Sequence, residues 1–277
     1  MRRAPTYSRN RTKGNLSKTL NATRDVDLEK FLIESGLNER LNARLPVNIA
    51  SIARSLGARS VTEADIPAAG MLVPVDSGFM ILVNKNNPPA RKRFSCAHEV
   101  AHALIDPEST SAQRQFPFGK DSELEKACER LASLLLMPNP VFRNHATAGL
   151  PSIAKVAKLA ETFATSIQAT ALRFVKEIGE RCLLIISEPH GHSDEVQLAV
   201  KWSSNNFPKS GARGVFVPRR ARVGLRSAQI AYRTRDVQRD TETLSAGKYR
   251  LETYSESKAF GEGKSRYVLT LAFPDRT

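Results

Sequence analysis

The chain has 277 residues, of which 41% are hydrophobic and 25% charged, and this composition is too rich in apolar side chains for a disordered protein. No apolar run approaches the roughly 18 residues of a membrane-spanning helix, which excludes an integral membrane protein of the helical class. The three cysteines form neither an even set nor a CxxC pair, and no signal-peptide core follows Met1. We therefore expect a soluble protein of the reducing cytoplasm.

The net charge of +14 is unevenly distributed. Residues 1–24 hold seven Lys/Arg and no Asp/Glu, residues 25–180 hold eighteen of each, and residues 181–277 hold seventeen against ten. The first 24 residues have too few apolar groups to offset the entropy of ordering, which predicts a disordered basic tail. The excess of cations in the tail and the C-terminal third favours contact with nucleic acid, and a solvated basic surface fits equally well.

Apolar periodicity in the first half predicts helices and one hairpin. Helices are expected over Val26–Ile33 and Pro46–Leu56, then a pair of antiparallel strands between Met71 and Val83 that turns at Asp76-Ser77-Gly78. Two longer helices follow, from about Arg91 to Ile105 and from Asp121 or Ser122 to Leu136.

The pattern of the second half changes after residue 180. Two amphipathic helices are expected before that point, Ile153–Phe163 and Ser166–Ile178. Five short β-prone runs follow, which predicts a small mixed or β-rich domain; they are Cys182–Ile186, Val196–Trp202, Gly214–Val217, Gln229–Tyr232 and Tyr267–Phe273.

The segment His98-Glu99-Val100-Ala101-His102 carries the clearest chemical signal. Two histidines four residues apart on a helix project from the same face, so both imidazoles can bind one metal ion. Glu99 beside them is placed to act as the general base toward a water molecule on that metal. This pattern predicts a catalytic zinc site with one Zn²⁺ per chain.

A catalytic zinc ion has three protein ligands and one open position, so a third ligand is required. Glu108 lies six residues after His102, but one branch of zinc peptidases that uses this spacing needs a glycine where this chain has Ile105. The other candidates, Glu123, Glu125 and Glu129, share the next helix. Glu125 has an alternative interpretation, because with Ser122 it forms an S-x-x-E capping box.

The same residues resemble a known family. Arg93-Phe94-Ser95-Cys96-Ala97 before the histidine motif, then Glu125-Lys126-Ala127-Cys128-Glu129 and the run from Leu131 to Pro138, are similar to the ImmA/IrrE-type metallopeptidases. The resemblance implies a zincin-like fold with Glu125 as the third ligand and Glu129 as a group that orients a ligating histidine. It also implies that Ile81, Leu82 and Val83 belong to an edge strand on which an extended substrate pairs.

The rest of the chain is less specific. Leu159 to Phe174 resembles a helix-turn-helix whose Ser166, Gln168, Thr170 and Arg173 would contact DNA, and a helical pair that covers the peptidase core is the preferred interpretation. Residues 181–277 are either GAF-like, as in longer relatives, or a basic docking surface.

Together these features predict an α+β protein in four parts. They are a tail over 1–24, a zincin-like domain over 25–145, a helix-turn-helix-like segment over 146–180 and a basic C-terminal domain over 181–277. The resemblance implies an endopeptidase that cleaves a helix-turn-helix repressor and so activates stress-response or mobile-element genes. The alternative is a metal-binding regulator that acts by binding DNA or a partner without proteolysis.

Overall fold

A computed structural model describes residues 25–37, 41, 44–106, 110, 122–190, 197–207, 217, 219–246 and 249–274. The predicted tail and the alternative ligand Glu108 lie outside these residues. The chain divides into two compact units, residues 1–141 with 162–165, and residues 142–161 with 166–277. Within the described ranges, no helix has both the length and the apolar character needed to cross a bilayer.

The first unit contains helices and a small sheet, which confirms the α+β class. Its elements are α1 (Asp25–Glu34), α2 (Ile49–Ser55), β1 (Ala58–Ala64), β2 (Gly70–Val75), β3 (Gly78–Asn84), α3 (Pro89–Ile105) and α4 (Ser122–Leu136). Helix α2 is shorter than predicted because Asn48 caps it, accepting a hydrogen bond from the Ser51 N–H at 3.0 Å.

The sheet of the first unit has the order β1-β3-β2. The predicted hairpin is confirmed, since β2 and β3 are antiparallel and their register pairs Val75 with Gly78. The sheet is mixed instead of purely antiparallel, because β1 joins β3 in parallel. Strand β1 was not predicted: its sequence ARSVTEA has few β-branched residues, and pairing with β3 stabilises it.

The turn that closes the hairpin depends on a glycine. Gly78 has a φ of +145°, and a Cβ at this position would lie 2.3 Å from the carbonyl oxygen of Gly57. Only glycine fits both the dihedral angle and the close approach of the backbone.

Helix α3 is the central support of the site. It begins at Pro89, which needs no hydrogen-bond partner in the first turn, and ends at Ile105. Ala97, Val100, Ala101 and Leu104 are buried along it. Helix α4 packs against α3, and this contact fixes the distance between their polar side chains.

The second unit is built on a larger antiparallel sheet with the order β5-β4-β8-β7-β6. Helix α5 (Asn139–Thr147) begins in the first unit and continues into the second. The other elements are α6 (Ile153–Phe163), α7 (Ile167–Glu177), β4 (Leu183–His190), β5 (Gln197–Asn205), α8 (Arg226–Thr234), β6 (Gln238–Ala246), β7 (Tyr249–Phe260) and β8 (Tyr267–Pro274).

Two features of this unit differ from the prediction. The β-prone run Gln229–Tyr232 lies inside α8, where Ser227, Ala228 and Ala231 are buried at helical spacing. Strands β6 and β7 were missed because they are rich in Ser, Thr and Glu, and pairing with each other and with β8 stabilises them. Most of the predicted run Gly214–Val217 lies outside the described residues.

The helix-turn-helix interpretation fails for two of its four DNA-contact residues. Thr170 is fully buried, and Arg173 is 5% exposed and bonded to Glu177 at 3.2 Å. Ser166 caps α7 by accepting the Ala169 N–H at 3.2 Å. Helix α7 contacts β4 and β5, so its inner side packs against the sheet of this unit. The four-part domain scheme and the GAF-like assignment stay predictions.

Candidate metal and catalytic site

The two histidines of α3 meet a glutamate of α4. The Nε2 atoms of His98 and His102 are 3.1 Å apart, and their rings are nearly perpendicular, at 77°. Glu125 Oε2 lies 3.2 Å from His98 Nε2, and Oε1 lies 3.5 Å from His102 Nε2. All three donor groups fall within 4.8 Å of one another.

This donor set fits a divalent metal ion. Two imidazole nitrogens and a carboxylate are the ligand types that catalytic zinc sites use, and they leave a fourth position open. The Nε2 atoms converge from one helix face on one point, while the Nδ1 of His98 is buried and has no hydrogen-bond partner among the described residues. The geometry supports Glu125 over the capping alternative, because its carboxylate faces the imidazoles.

The other acidic candidates are placed differently. Glu123 bonds to Lys126 at 2.7 Å. Glu129 is exposed and lines the same cleft as the histidines. The predicted orienting role of Glu129 has no support at His98, whose Nδ1 makes no hydrogen bond to it.

Glu99 lies beside the metal-binding group and is only 9% exposed. Burial raises the pKa of Glu99 to about 7, the nearby carboxylate of Glu125 adds to this rise, and a hydrogen bond from the Leu72 N–H opposes it. A carboxyl group whose pKa lies near neutrality can both accept and return a proton.

Gly70 is a residue of this site that the sequence analysis missed. A Cβ on Gly70 would lie 2.9 Å from Glu99 Oε1 and 3.2 Å from Ser95 Cβ. The missing side chain therefore lets β2 approach α3 at the level of the general base. A glycine that precedes a β-prone run resembles any turn glycine, so the sequence offered no specific signal for it.

A cleft of about 600 Å³ opens over these groups. One wall is β2 with the residues before it, and the other wall is α3. The side chains at the α3 wall are Arg91, Phe94, Ser95, His98, Glu99 and His102.

Ile81, Leu82 and Val83 do not lie on an edge strand, contrary to what the resemblance implied. Strand β3 is central, so its backbone is paired with β1 on one side and β2 on the other along Ile81–Val83. Ile81 is fully buried and Val83 is 4% exposed, as expected for core positions. A substrate backbone has no free edge to pair with on β3.

Strand β2 is the edge strand that borders the cleft. Leu72 directs its N–H away from β3 to Glu99, and Pro74, two residues later, has no N–H to contribute. Because successive residues of a strand alternate in direction, Gly70, Leu72 and Pro74 present their backbone groups outward.

Two of the cysteines lie near the site as buried packing residues. Cys96 and Cys128 are buried free thiols, and neither belongs to the metal-binding group found among the described residues. Burial raises the pKa of the Cys96 thiol to about 11, with Glu99 adding to the rise.

The fold of the first unit and the donor set of the site are those expected of a metallopeptidase. Residues 58–175 match the family model Peptidase_M78, described as an IrrE N-terminal-like domain. This match confirms the resemblance of the segment to the ImmA/IrrE family.

Two known proteins extend this comparison. The chain is 34% identical over 94 residues to the "Radiation response metalloprotease IrrE" of Deinococcus radiodurans, an alignment that covers 31% of this chain and 29% of that protein. It therefore spans less than a third of the length of that curated relative. A solved structure, "Mycobacterium tuberculosis transcriptional regulator", has a similar fold with a TM-score of 0.56, 15% identity and coverage of 97% of this chain and 78% of that one.

Proposed function

We propose that this protein is a zinc-dependent endopeptidase whose substrate is a helix-turn-helix transcriptional repressor. One observation carries the peptidase part: His98, His102 and Glu125 converge within 4.8 Å, next to Glu99 in the same cleft. A divalent cation held by these three residues would lower the pKa of water and polarise a peptide carbonyl.

The chain's own residues account for the proton transfers. Glu99 takes a proton from the attacking water and returns it to the leaving amine as the peptide bond breaks. Its burial and its hydrogen bond to Leu72 keep the carboxyl group in place for both steps. The substrate lies extended along the free edge of β2, where the outward backbone groups of Gly70 and the outward carbonyl of Leu72 remain for pairing, since the Leu72 N–H is bound to Glu99.

The proposal of a repressor as substrate rests on the resemblance to the ImmA/IrrE family. The printed name of the Deinococcus relative, a radiation response metalloprotease, supports a role in stress response. We propose that cleavage occurs in the cytoplasm and activates stress-response or mobile-element genes.

The second candidate is a metal-binding regulator that acts through DNA or a protein partner. The basic tail and the C-terminal third favour it. Retention of Glu99 argues against it, because a buried carboxyl group beside two histidines is costly unless the site uses it.

Replacing Glu99 by Gln tests the proposal. We expect the variant to bind zinc like the wild type, measured by titration calorimetry, and to lose repressor cleavage, measured by mass spectrometry. The assay uses helix-turn-helix repressors encoded beside this gene, with zinc or with chelator. Cleavage that persists in the variant, or that survives chelation, would contradict a metallopeptidase mechanism.

A further inference from the structure

The second unit contains a long segment without acidic residues. Residues 196–235 include nine Lys/Arg and no Asp or Glu, and seven of the nine are arginines. Such a bias leaves a strong positive charge unless carboxylates from elsewhere in the fold approach it.

Residues 219–223 of this segment have their backbone fixed along the sheet. Strand β5 lies at the end of the sheet, and residues 219–223 run beside it. The Arg220 N–H donates to the Val200 carbonyl at 2.8 Å, and the Val223 N–H donates to the Leu198 carbonyl at 2.8 Å. The side chains of residues 219–223 therefore project from a defined position.

We define the arginine surface as the five exposed arginines carried by residues 219–223 and by helix α8. They are Arg219, Arg220, Arg222, Arg226 and Arg233. None of the five forms an ion pair with a carboxylate of the described ranges, whereas Lys201 and Arg235 nearby in sequence pair with Glu188 and Glu262.

Helix α8 orients the last two of these arginines. Its buried side carries Ser227, Ala228 and Ala231 against the sheet, so Arg226 and Arg233, seven residues apart, share the outer side. Glu242 does not neutralise them through an ion pair, since its carboxylate accepts the Arg226 N–H at 2.5 Å and the Ser227 N–H at 3.4 Å at the start of the helix.

We propose that the arginine surface binds the phosphate backbone of double-stranded nucleic acid. Guanidinium groups match phosphate oxygens in two-point hydrogen bonds, and unpaired cations displace counterions from a duplex. This activity belongs to the second unit and does not depend on the peptidase site.

The arginine surface does not fit single-stranded nucleic acid, an acidic protein or a membrane. Single strands are bound by stacking on exposed aromatic rings, whereas Tyr232 is half-buried and carries Arg266 over its ring at 4.1 Å. Protein interfaces and membrane-bound helices need apolar anchors. The exposed large apolar residues of the described ranges, Ile33, Leu150 and Tyr254, all lie outside residues 219–235.

The test measures fluorescence anisotropy of a short labelled DNA duplex of arbitrary sequence, and of the matching RNA duplex, with the full chain over a salt series. The variant replaces Arg220, Arg222, Arg226 and Arg233 by Gln and leaves Arg219, whose Nε bonds the Lys201 carbonyl at 3.1 Å. We expect about tenfold or greater loss of affinity, and a decrease in the salt slope of roughly 0.9 for each phosphate that the variant no longer neutralises.

A control variant removes the same charge elsewhere. Four exposed lysines that already have carboxylate partners are replaced by Gln; they are Lys30, Lys85, Lys126 and Lys158. We expect this control to bind like the wild type, and circular dichroism verifies that both variants are folded.

The proposal is overturned if duplexes do not bind at low salt, if both variants lose affinity equally, or if polyglutamate competes as well as duplex. Equal binding of the DNA and RNA duplexes supports contact with the phosphate backbone. Preference for one duplex identifies which of the two nucleic acids the arginine surface binds. Repeating the titration with the Glu99→Gln chain separates this outcome from the peptidase proposal, because that substitution leaves the arginine surface intact.

Discussion

At the scale of single residues, the site depends on which acid completes the group around His98 and His102. Glu125 and Glu129 lie one helical turn apart on α4, and both line the cleft. Only Glu125 lies within 3.5 Å of both imidazoles. The two residues therefore form a matched pair for testing the ligand assignment.

We expect Glu125→Gln to lose zinc-dependent stabilisation and Glu129→Gln to retain it. A ligand that binds only the folded state stabilises it by about 2.7 kcal/mol at a hundred times its Kd. Thermal unfolding with and without zinc measures the difference for each variant. Loss of the zinc effect in the Glu129 variant alone would contradict the assignment.

Gly70 allows a second prediction at this scale. In Gly70→Ala the new methyl group collides with the Glu99 carboxylate, which must move because its Oε1 would lie 2.9 Å away. A misplacement of a reacting group by about 1 Å costs about a hundredfold in rate, so kcat should decrease by that order while zinc binding is unchanged.

The control for Gly70 is Gly179→Ala, where the added Cβ has no atom within 4 Å. We expect its kcat to equal that of the wild type. Wild-type kcat in Gly70→Ala would show that Glu99 does not need this space.

At the scale of elements, Glu256 of β7 holds the start of α6. Its carboxylate is 3% exposed and accepts the Ile153 N–H at 2.8 Å and a guanidinium N–H of Arg239 at 2.8 Å. The first N–H groups of a helix have no partner within the helix, and a negative charge is favourable at that end. The sheet therefore supplies one part of the cap of α6, and the Ser152 hydroxyl, which accepts the Lys155 N–H at 3.1 Å, supplies another.

We expect Glu256→Gln to lower the free energy of unfolding by about 2 kcal/mol, since hydrogen bonds to charged groups contribute about that amount. Urea unfolding followed by circular dichroism measures the change. Glu252→Gln, an exposed position on the same strand, is the control and should change stability by less than about 0.5 kcal/mol. Equal stability of the two variants would show that Glu256 does not act as the cap.

At the scale of the whole molecule, the two units differ in charge, and each contains at least one buried free cysteine. The acid-free segment lies in the second unit, whereas the metal-binding group lies in the first. Cys182 belongs to the second unit and is fully buried, and this burial raises its thiol pKa well above the usual range. The thiol titrates at a lower pH in the unfolded chain than in the folded protein.

This difference predicts a pH-dependent stability. The pKa of Cys182 is higher in the folded protein than in the unfolded chain. Its contribution to the free energy of unfolding is therefore fully present below the unfolded pKa of about 8.5 and is lost as the pH rises above that value. We expect the unfolding free energy to decrease between about pH 8 and about pH 10, less so in Cys182→Ala.

Alkylation of Cys182 should be slow in the native protein and fast in denaturant, measured by peptide mass spectrometry; rapid native alkylation would contradict its burial.

Local periodicity in the sequence was enough to predict the features that depend on neighbouring residues. The histidines lie four residues apart on α3, so any helix there presents both on one face, with Glu99 adjacent. The hairpin of β2 and β3 followed from its β-branched runs and the turn at Gly78. The α+β class followed from the same patterns.

Contacts between distant segments decided the rest. The third acid had to come from another helix, and only the packing of α4 on α3 brings the Glu125 carboxylate to the imidazoles. Strand order made β2 the edge strand and β3 the centre, and no residue pattern within β3 records which neighbours it has. The polar strands β6 and β7 exist because they pair with each other, since hydrogen bonds between strands join residues that are far apart in sequence.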